Sequence, residues 1–393
     1  VDADVIVVGA GPAGAATACG LAREGLDVML LDRRPFPRDK ACGDGVPPGS
    51  IEVLNSLGMA DKIRAAGFYP INGIRLGSPS GRTWDASFEP KKHGTRFYVA
   101  PRARFDALIQ GHAVESGAQF VQCAVREPVT GGGRVTGVRA VVDGREDELA
   151  ARVVVGADGA TSAIARALRA GPKPPARHRS VAIRAYVDGI DTIPHRVEFY
   201  LHRRFLPGYA WVFPLASDRA NVGVIMRADR YRAAGAPLER LLREFTEGPA
   251  IAHRLGRGHR VAEVATWQLP NAATAPMRNT FDGAVLVGDA ASLVDPLTGE
   301  GIHNALVSAQ LAAAAIGEAV RRGDTSRRGL ADYDRRCDEV LGPLVSRSQR
   351  VHNWVDRVPG WIDPLFALAG AAPRWTEARL NRMSTDFVVR VDG

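Results

Sequence analysis

The stretch from Asp4 to Asp32, DVIVVGAGPAGAATACGLAREGLDVMLLD, constrains the fold of this chain more than any other. Val5 to Val8 form a short apolar run of the kind that makes a strand buried on both faces, and the run stops at Gly9-Ala10-Gly11-Pro12-Ala13-Gly14. The pattern predicts a strand, a glycine turn and a helix. Gly9 permits the tight turn, Gly11 lets the backbone approach a pyrophosphate, and Gly14 lets the new helix pack close to the strand. Free N–H groups at the helix start carry positive partial charge that suits phosphate. A second strand, Val28 to Leu31, ends at Asp32, whose carboxylate can hold the two hydroxyls of an adenosine ribose. The small-residue helix face of Ala13, Ala16 and Ala18 and the spaced acid separate this βαβ unit from an ordinary turn. The unit predicts an ADP-containing dinucleotide and leaves NAD and FAD equally open.

At 393 residues the chain exceeds the comfortable size of one core, so two lobes are expected. The net charge of +8 rests mostly on arginine. These arginines are spread along the chain, which argues against a nucleic-acid face. No run of eighteen apolar residues occurs and Val1 leads straight into the first strand, so the expectation is a cytoplasmic protein with no transmembrane span or signal peptide. Cys19, Cys42, Cys123 and Cys337 lack metal-ligand spacing, which predicts neither structural zinc nor a disulfide framework.

After Asp32 the segment RRPFPRDKACGDG reads as a loop at the carboxyl end of a strand, where such sheets bind ligands. Cys42, beside Lys40, is either a thiol of lowered pKa or a small residue lining the cofactor. Ser50 to Ala65 reads as a helix, and Ile74 to Ser78 and Arg82 to Phe88 as strands. Pro101-Arg102-Ala103-Arg104-Phe105-Asp106 opens a helix through Ser116, with an arginine placed to reach a cofactor or a surface partner. Phe120 to Val125, Val135 to Val141 and Glu148 to Val155 read as a small meander, running into a second glycine turn at Gly156-Ala157-Asp158-Gly159.

From Val181 to Arg227 the period changes to two, with Val197, Phe199 and Leu201 on one face. Trp211-Val212-Phe213-Pro214-Leu215 and Asn221-Val222-Gly223-Val224-Ile225 predict an antiparallel hairpin in a larger sheet. Tyr209, Trp211 and Phe213 share a face, either lining a cavity or filling sheet core. Val285 to Ala291 reads as a buried strand ending in Gly-Asp, followed by SLVDPLTGEGI and an alanine-rich helix to Arg321. This turn favours FAD over NAD. Its carboxylate can accept a hydroxyl from a ribityl chain, and backbone N–H groups at Gly301 and Ile302 can face the pyrimidine end of a flavin.

GAGPAG at Gly9, DKACGDG at Asp39, PRARFD at Pro101, GADGATS at Gly156, YAWVFP at Tyr209 and GDAASLVDPLTGEGI at Gly288 together resemble the geranylgeranyl reductase family. That family lies within the FAD-dependent oxidoreductases that include the aromatic-hydroxylase-type monooxygenases. The likeness runs to about Ala319. It implies an α/β fold: a Rossmann-like FAD-binding domain, a substrate domain built on a mixed or antiparallel sheet, and a helical C-terminal region. The expected divisions are 1–75, 95–180 and 280–325 for FAD, 76–94 and 181–279 for substrate, and 326–393 for a helical cap. It implies FAD contacts from Gly9, Gly11, Ala13, Gly14, Asp32 and Arg33, then from Cys42, Gly43, Arg102, Val125 and Asp158. At the far end the implied contacts are Gly288, Asp289, Pro296, Gly299, Gly301 and Ile302. Cys42, Tyr209 and Trp211 are the implied catalytic candidates, the tyrosine and tryptophan facing a substrate tunnel.

The family saturates carbon–carbon double bonds of isoprenoid chains by hydride from flavin N5, so an apolar isoprenoid or polycyclic substrate is expected. Where the family commonly has paired glycines, this chain has Asn271-Ala272-Ala273, side chains expected to narrow the space near the flavin, and His303 and Asn304 make the helix start more polar. A monooxygenase of natural-product biosynthesis shares the same frame and stays open, as does a non-catalytic flavin-binding module; a halogenase is disfavoured because no matching halogenase lysine is found. Electrons would come from NADPH or NADH bound transiently, since no second dinucleotide fingerprint occurs, or from an external reductase. The tail, with Leu341, Val345, Val351 and Trp354 on one face and Trp361, Leu365, Phe366 and Leu368 on another, reads as a helical cap or as a portal touching a membrane surface.

Overall fold

The computed structural model describes residues 1–87, 96–169, 174–272 and 278–371. Phe88, the expected division at residues 94 and 95, Ala273 and the end of the expected cap beyond Ala371 lie outside the described residues.

The opening strand, Ala3–Val8, is the centre of an eight-stranded sheet. It pairs in parallel with Val28–Asp32 on one side and with Arg145–Gly156 on the other. Gln119–Gln122 and Ala284–Leu286 continue the parallel order outward. Such a sheet needs cover on both faces, which is why the strand runs Val5 to Val8 and Val28 to Leu31 carry no polar side chain. Helices Pro12–Arg23 and Ile302–Arg322 pack together over it. The register is tight at the turn: a Cβ on Gly14 would sit 1.8 Å from the Gly9 carbonyl oxygen. The meander expected in this region is present, but its first strand is divided at Cys123. Gln119–Gln122 belongs to the parallel sheet, whereas Ala124–Gly131 pairs antiparallel with Arg134–Val142. Ser50 to Ala65 likewise forms two helices, Pro48–Ser56 and Ala60–Ala65, because Gly58 takes φ +86° and ends the first.

A second, seven-stranded sheet is antiparallel except for one parallel pair, Arg196–Tyr200 with Gly73–Gly77. Its period-two pattern divides two environments. Val212, Val222 and Val224 face Leu241, Leu242 and Phe245 of helix Leu238–Thr246, while Trp211, Phe213 and Ile225 form a separate cluster on the opposite face. The late strand is shorter than its apolar run implies. Ala284–Leu286 is strand, and Gly288–Ala291 already turns, so that Asp289 is delivered to a loop rather than to a sheet edge. Helices Arg327–Val340, Gly342–Arg357 and Ile362–Ala371 complete the described part of the chain. Among the described residues no helix is long and apolar enough to cross a membrane.

Candidate functional site

Between the two sheets lies a cavity of about 960 Å³, at the upper end of the range that holds a large organic ligand. Four segments supply much of its lining. The glycine turn contributes Gly11 and Ala13, the loop after Asp32 contributes Lys40, Cys42 and Gly43, the late turn contributes Asp289 and Gly299 to His303, and the sheet contributes Tyr209, Trp211 and Phe213. Helix Pro12–Arg23 begins at Gly11 with no side-chain cap, and the space a Gly11 Cβ would enter is open apart from the Arg38 guanidinium at 3.9 Å. Uncapped N–H groups facing an open cavity are what a dinucleotide phosphate requires. The Asp32 carboxylate at the strand end accepts from the Ala10 amide at 2.9 Å and pairs with Arg38 at 3.0 Å.

The cysteine loop is pinned to the aromatic sheet by buried polar groups. Asn221 donates to the Cys42 carbonyl at 2.7 Å and to Asp44 at 2.8 Å, while Tyr186 donates to the same Asp44 carboxylate at 2.7 Å. The Trp211 indole N–H is spent on Asn221 at 2.9 Å, so its ring, not its donor, lines the cavity. Gly43 is seated on those rings; a Cβ there would lie 3.2 Å from Phe213 and 3.3 Å from Trp211. Upstream, Arg184 holds Asp39 at 2.5 Å and stacks over Tyr186, and Lys40 reaches Asp289 at 3.2 Å. Burial pushes Asp44 up to about 6, opposed by hydrogen bonds from Tyr186 and Asn221.

Burial also pushes the Cys42 thiol up, against the opposing pull of Arg102. The thiol therefore stays protonated at neutral pH, and Lys40, its neighbour in sequence, is engaged with Asp289 instead. Arg102 is buried and bound twice by Asp106, at 2.7 and 2.8 Å. Tyr209 donates its hydroxyl to the Thr298 carbonyl and packs edge-on against Phe199, centroids 5.2 Å apart. Burial raises the Tyr209 pKa, so this hydroxyl also keeps its proton.

Other expected residues take different surroundings. Arg33 is exposed, and Val125 is half-buried against the parallel-sheet core rather than among the cavity-lining residues. Asp158 accepts from Ser162 and from the Ala163 amide at 2.6 Å, capping the short helix that follows. Pro296 is buried behind the late turn, while Gly288 packs against Ala13. Asn271 turns to Ser180 at 3.0 Å and Ala272 enters the core, so neither described residue of that departure lines the cavity. Of the polar pair at the helix start, His303 lines the cavity and Asn304 donates to the Leu293 carbonyl at 2.7 Å.

Glu300 was not singled out from the sequence. It lines the cavity, its Oε1 accepts from the His303 amide at 2.9 Å, and burial pushes its carboxyl up to about 7 against the amides of His303 and Ile302. Asn221, Arg184 and Asp44 were missed as well. A signal existed: Asn221 and Arg184 are lone polar residues inside apolar strands, which need buried partners.

The FAD binding domain family matches residues 2–348. The digeranylgeranylglycerophospholipid reductase of Methanocella arvoryzae is 32% identical over 364 residues, spanning 90% of this chain and 88% of its own. The chain is a member of the geranylgeranyl reductase family of FAD-dependent oxidoreductases. The menaquinone reductase of Mycolicibacterium smegmatis is 32% identical over 421 residues, covering 96% of this chain and 98% of its own. Among solved structures, a geranylgeranyl bacteriochlorophyll reductase-like protein from Thermoplasma acidophilum superposes with a TM-score of 0.80 at 28% identity, covering 92% of this flavoprotein and 90% of that chain. The cavity thus belongs to a flavoenzyme, and its uncapped helix start, acidic strand end and glycine-floored late turn fit FAD.

Proposed function

We propose that this flavoenzyme saturates carbon–carbon double bonds in an apolar isoprenoid chain. The observation that carries the reading is the roof of the cavity: Ile74, Leu76, Val197, Phe199, Tyr209 and Phe213 present an almost wholly apolar surface directly above the loop that holds Cys42. A hydrocarbon chain gains from such a wall about 25 cal/mol for each Å² removed from water, while a polar substrate would leave its groups unpaired there. The reductase names of two relatives over most of their lengths support the same reaction class.

FAD, when bound, supplies the hydride. Gly11, Ala13 and Asp32 would hold its adenosine diphosphate end, Asp289 its ribityl chain, and Gly301 and Ile302 its pyrimidine edge. Arg102 and Gly43 would flank the ring. The protonated Cys42 thiol and the Tyr209 hydroxyl both line the cavity and would supply the carbon that must gain a proton; Tyr209 must first release the Thr298 carbonyl. Trp211 acts as a wall. A reduced nicotinamide visiting the open side of the cavity, or an external reductase, supplies the electrons. Val351 and Val355 border the cavity, and the nearby exposed Trp354, Trp361 and Leu368 give an apolar approach from a membrane surface.

The test is an anaerobic incubation of the FAD-loaded protein with reduced nicotinamide and a polyprenyl substrate, with a parallel aerobic run under labelled oxygen. A gain of two hydrogens by mass is the expected result. Incorporation of labelled oxygen without hydrogen gain would replace the reductase by a monooxygenase.

A further inference from the structure

Three fixed features surround the end of the cavity at Gly301. The 21-residue helix Ile302–Arg322 starts there, and its N-terminus carries roughly half a positive charge. Glu300 already sits on it through the His303 amide. The nearby cations are spoken for: Arg102 is held by Asp106 and Lys40 by Asp289. Groups facing Glu300 from the packed elements are Asp295 in its own loop, Arg102 on helix Arg102–Glu115, Tyr209 on the sheet, and His303 on the helix itself. Asp295 remains anchored as an acceptor of the Leu297 and Thr298 amides at 2.9 and 2.8 Å. The helix start thus already carries one carboxylate, and a second negative charge arriving there competes with it for the same amides.

We propose that Glu300 is the proton-holding partner of the flavin, taking up one proton each time the cofactor is reduced. This rests on the reading that the pyrimidine edge lies at Gly301 and Ile302. Two electrons and one proton from an external donor give a reduced flavin bearing one negative charge, and a second proton converts the Glu300 carboxylate to the acid. The site thus gains two electrons and two protons, and its net charge is unchanged. The amides that served the carboxylate are released to the reduced ring. Burial sets the pH at which this matters, because a carboxyl standing at about 7 is ionised above that pH and can then accept the proton.

Spectroelectrochemical titration of the FAD-loaded protein tests it without turnover. For a two-electron couple each proton taken up changes the equilibrium tenfold per pH unit, or about 30 mV. The potential of the unaltered protein is expected to fall by about 60 mV per pH unit above pH ~7. The Glu300→Gln protein should fall by about 30 mV per pH unit there. Proton uptake on reduction in weak buffer, read with an indicator dye, should be two per flavin before substitution and one after. A slope of about 30 mV in the unaltered protein, or the same two-proton slope in both, overturns the role of Glu300 while leaving FAD binding intact. Failure of the unaltered protein to take up FAD would instead overturn the placement on which it rests.

Discussion

Two helices begin at the same cavity and begin differently. Pro12–Arg23 starts bare, with proline at its first position and no side chain on its N–H groups; Ile302–Arg322 starts under the carboxylate of Glu300. A permanent anion suits the first. A diphosphate never loses its charge, so a competing carboxylate there would only weaken binding. In the function proposed above, the second faces the end of a flavin where negative charge appears and disappears, and a carboxyl that changes protonation near neutral pH can exchange places with it. The same backbone device is specialised by one neighbouring side chain.

The comparison breaks most severely at Gly14. A Gly14→Val side chain would enter the Gly9 carbonyl, prising open the first turn, and the purified protein is expected to retain less than about a hundredth of its flavin absorbance. Next comes the anchoring of the cysteine loop. Asp44→Ala strands the Tyr186 and Asn221 donors in the interior, with an expected loss of about 3 kcal/mol in denaturant unfolding and release of the cysteine loop to proteolysis.

A smaller effect separates the two helix starts by pH. A carboxyl raised from 4.5 to about 7 binds more protons folded than unfolded, so its contribution to stability is present below pH 4.5 and is lost as pH rises through about 7. Asp44, raised from 3.8 to about 6, acts in the same direction. The apoprotein should therefore be less stable at pH 8 than at pH 5, and Glu300→Gln should flatten that profile by something of the order of 1 kcal/mol once screening in the open cavity is allowed for. Melting temperatures of apoprotein across that range check the sign. The smallest effect belongs to Gly301→Ala. Its new methyl would meet Asp289 at 3.4 Å and Val294 at 3.5 Å, ordinary contacts, so stability should change by less than about 1 kcal/mol. Flavin affinity, not melting, would report the methyl.

Local pattern was enough for the dinucleotide unit, for the alternating sheet and for the late Gly-Asp turn, because glycine spacing, a two-residue period and a strand-end acid are properties of neighbouring residues. Tyr209, Trp211 and Phe213 were visible as one face by the same logic. What that face touched was not visible, since sheet core and cavity wall have the same alternation. Cys42 shows the limit in another way. Its sequence neighbour Lys40 argued for a lowered pKa, yet the fold gives Lys40 to Asp289 and buries the thiol, which raises it.

From its residues alone this chain was committed to a parallel α/β sheet and a flavin, because each follows from glycine spacing, strand-end acids and the period of apolar side chains; the apolar substrate was implied only by the family resemblance. Only folding decided that Asn221, Tyr186 and Asp44 would tie the cysteine loop to the roof, and that Glu300 would accept from the first turn of helix Ile302–Arg322 at the cavity. Those choices join residues up to 179 positions apart. Whether a buried polar group is a burden or a tool depends on which partner arrives from elsewhere in the chain, and no local pattern records that arrival.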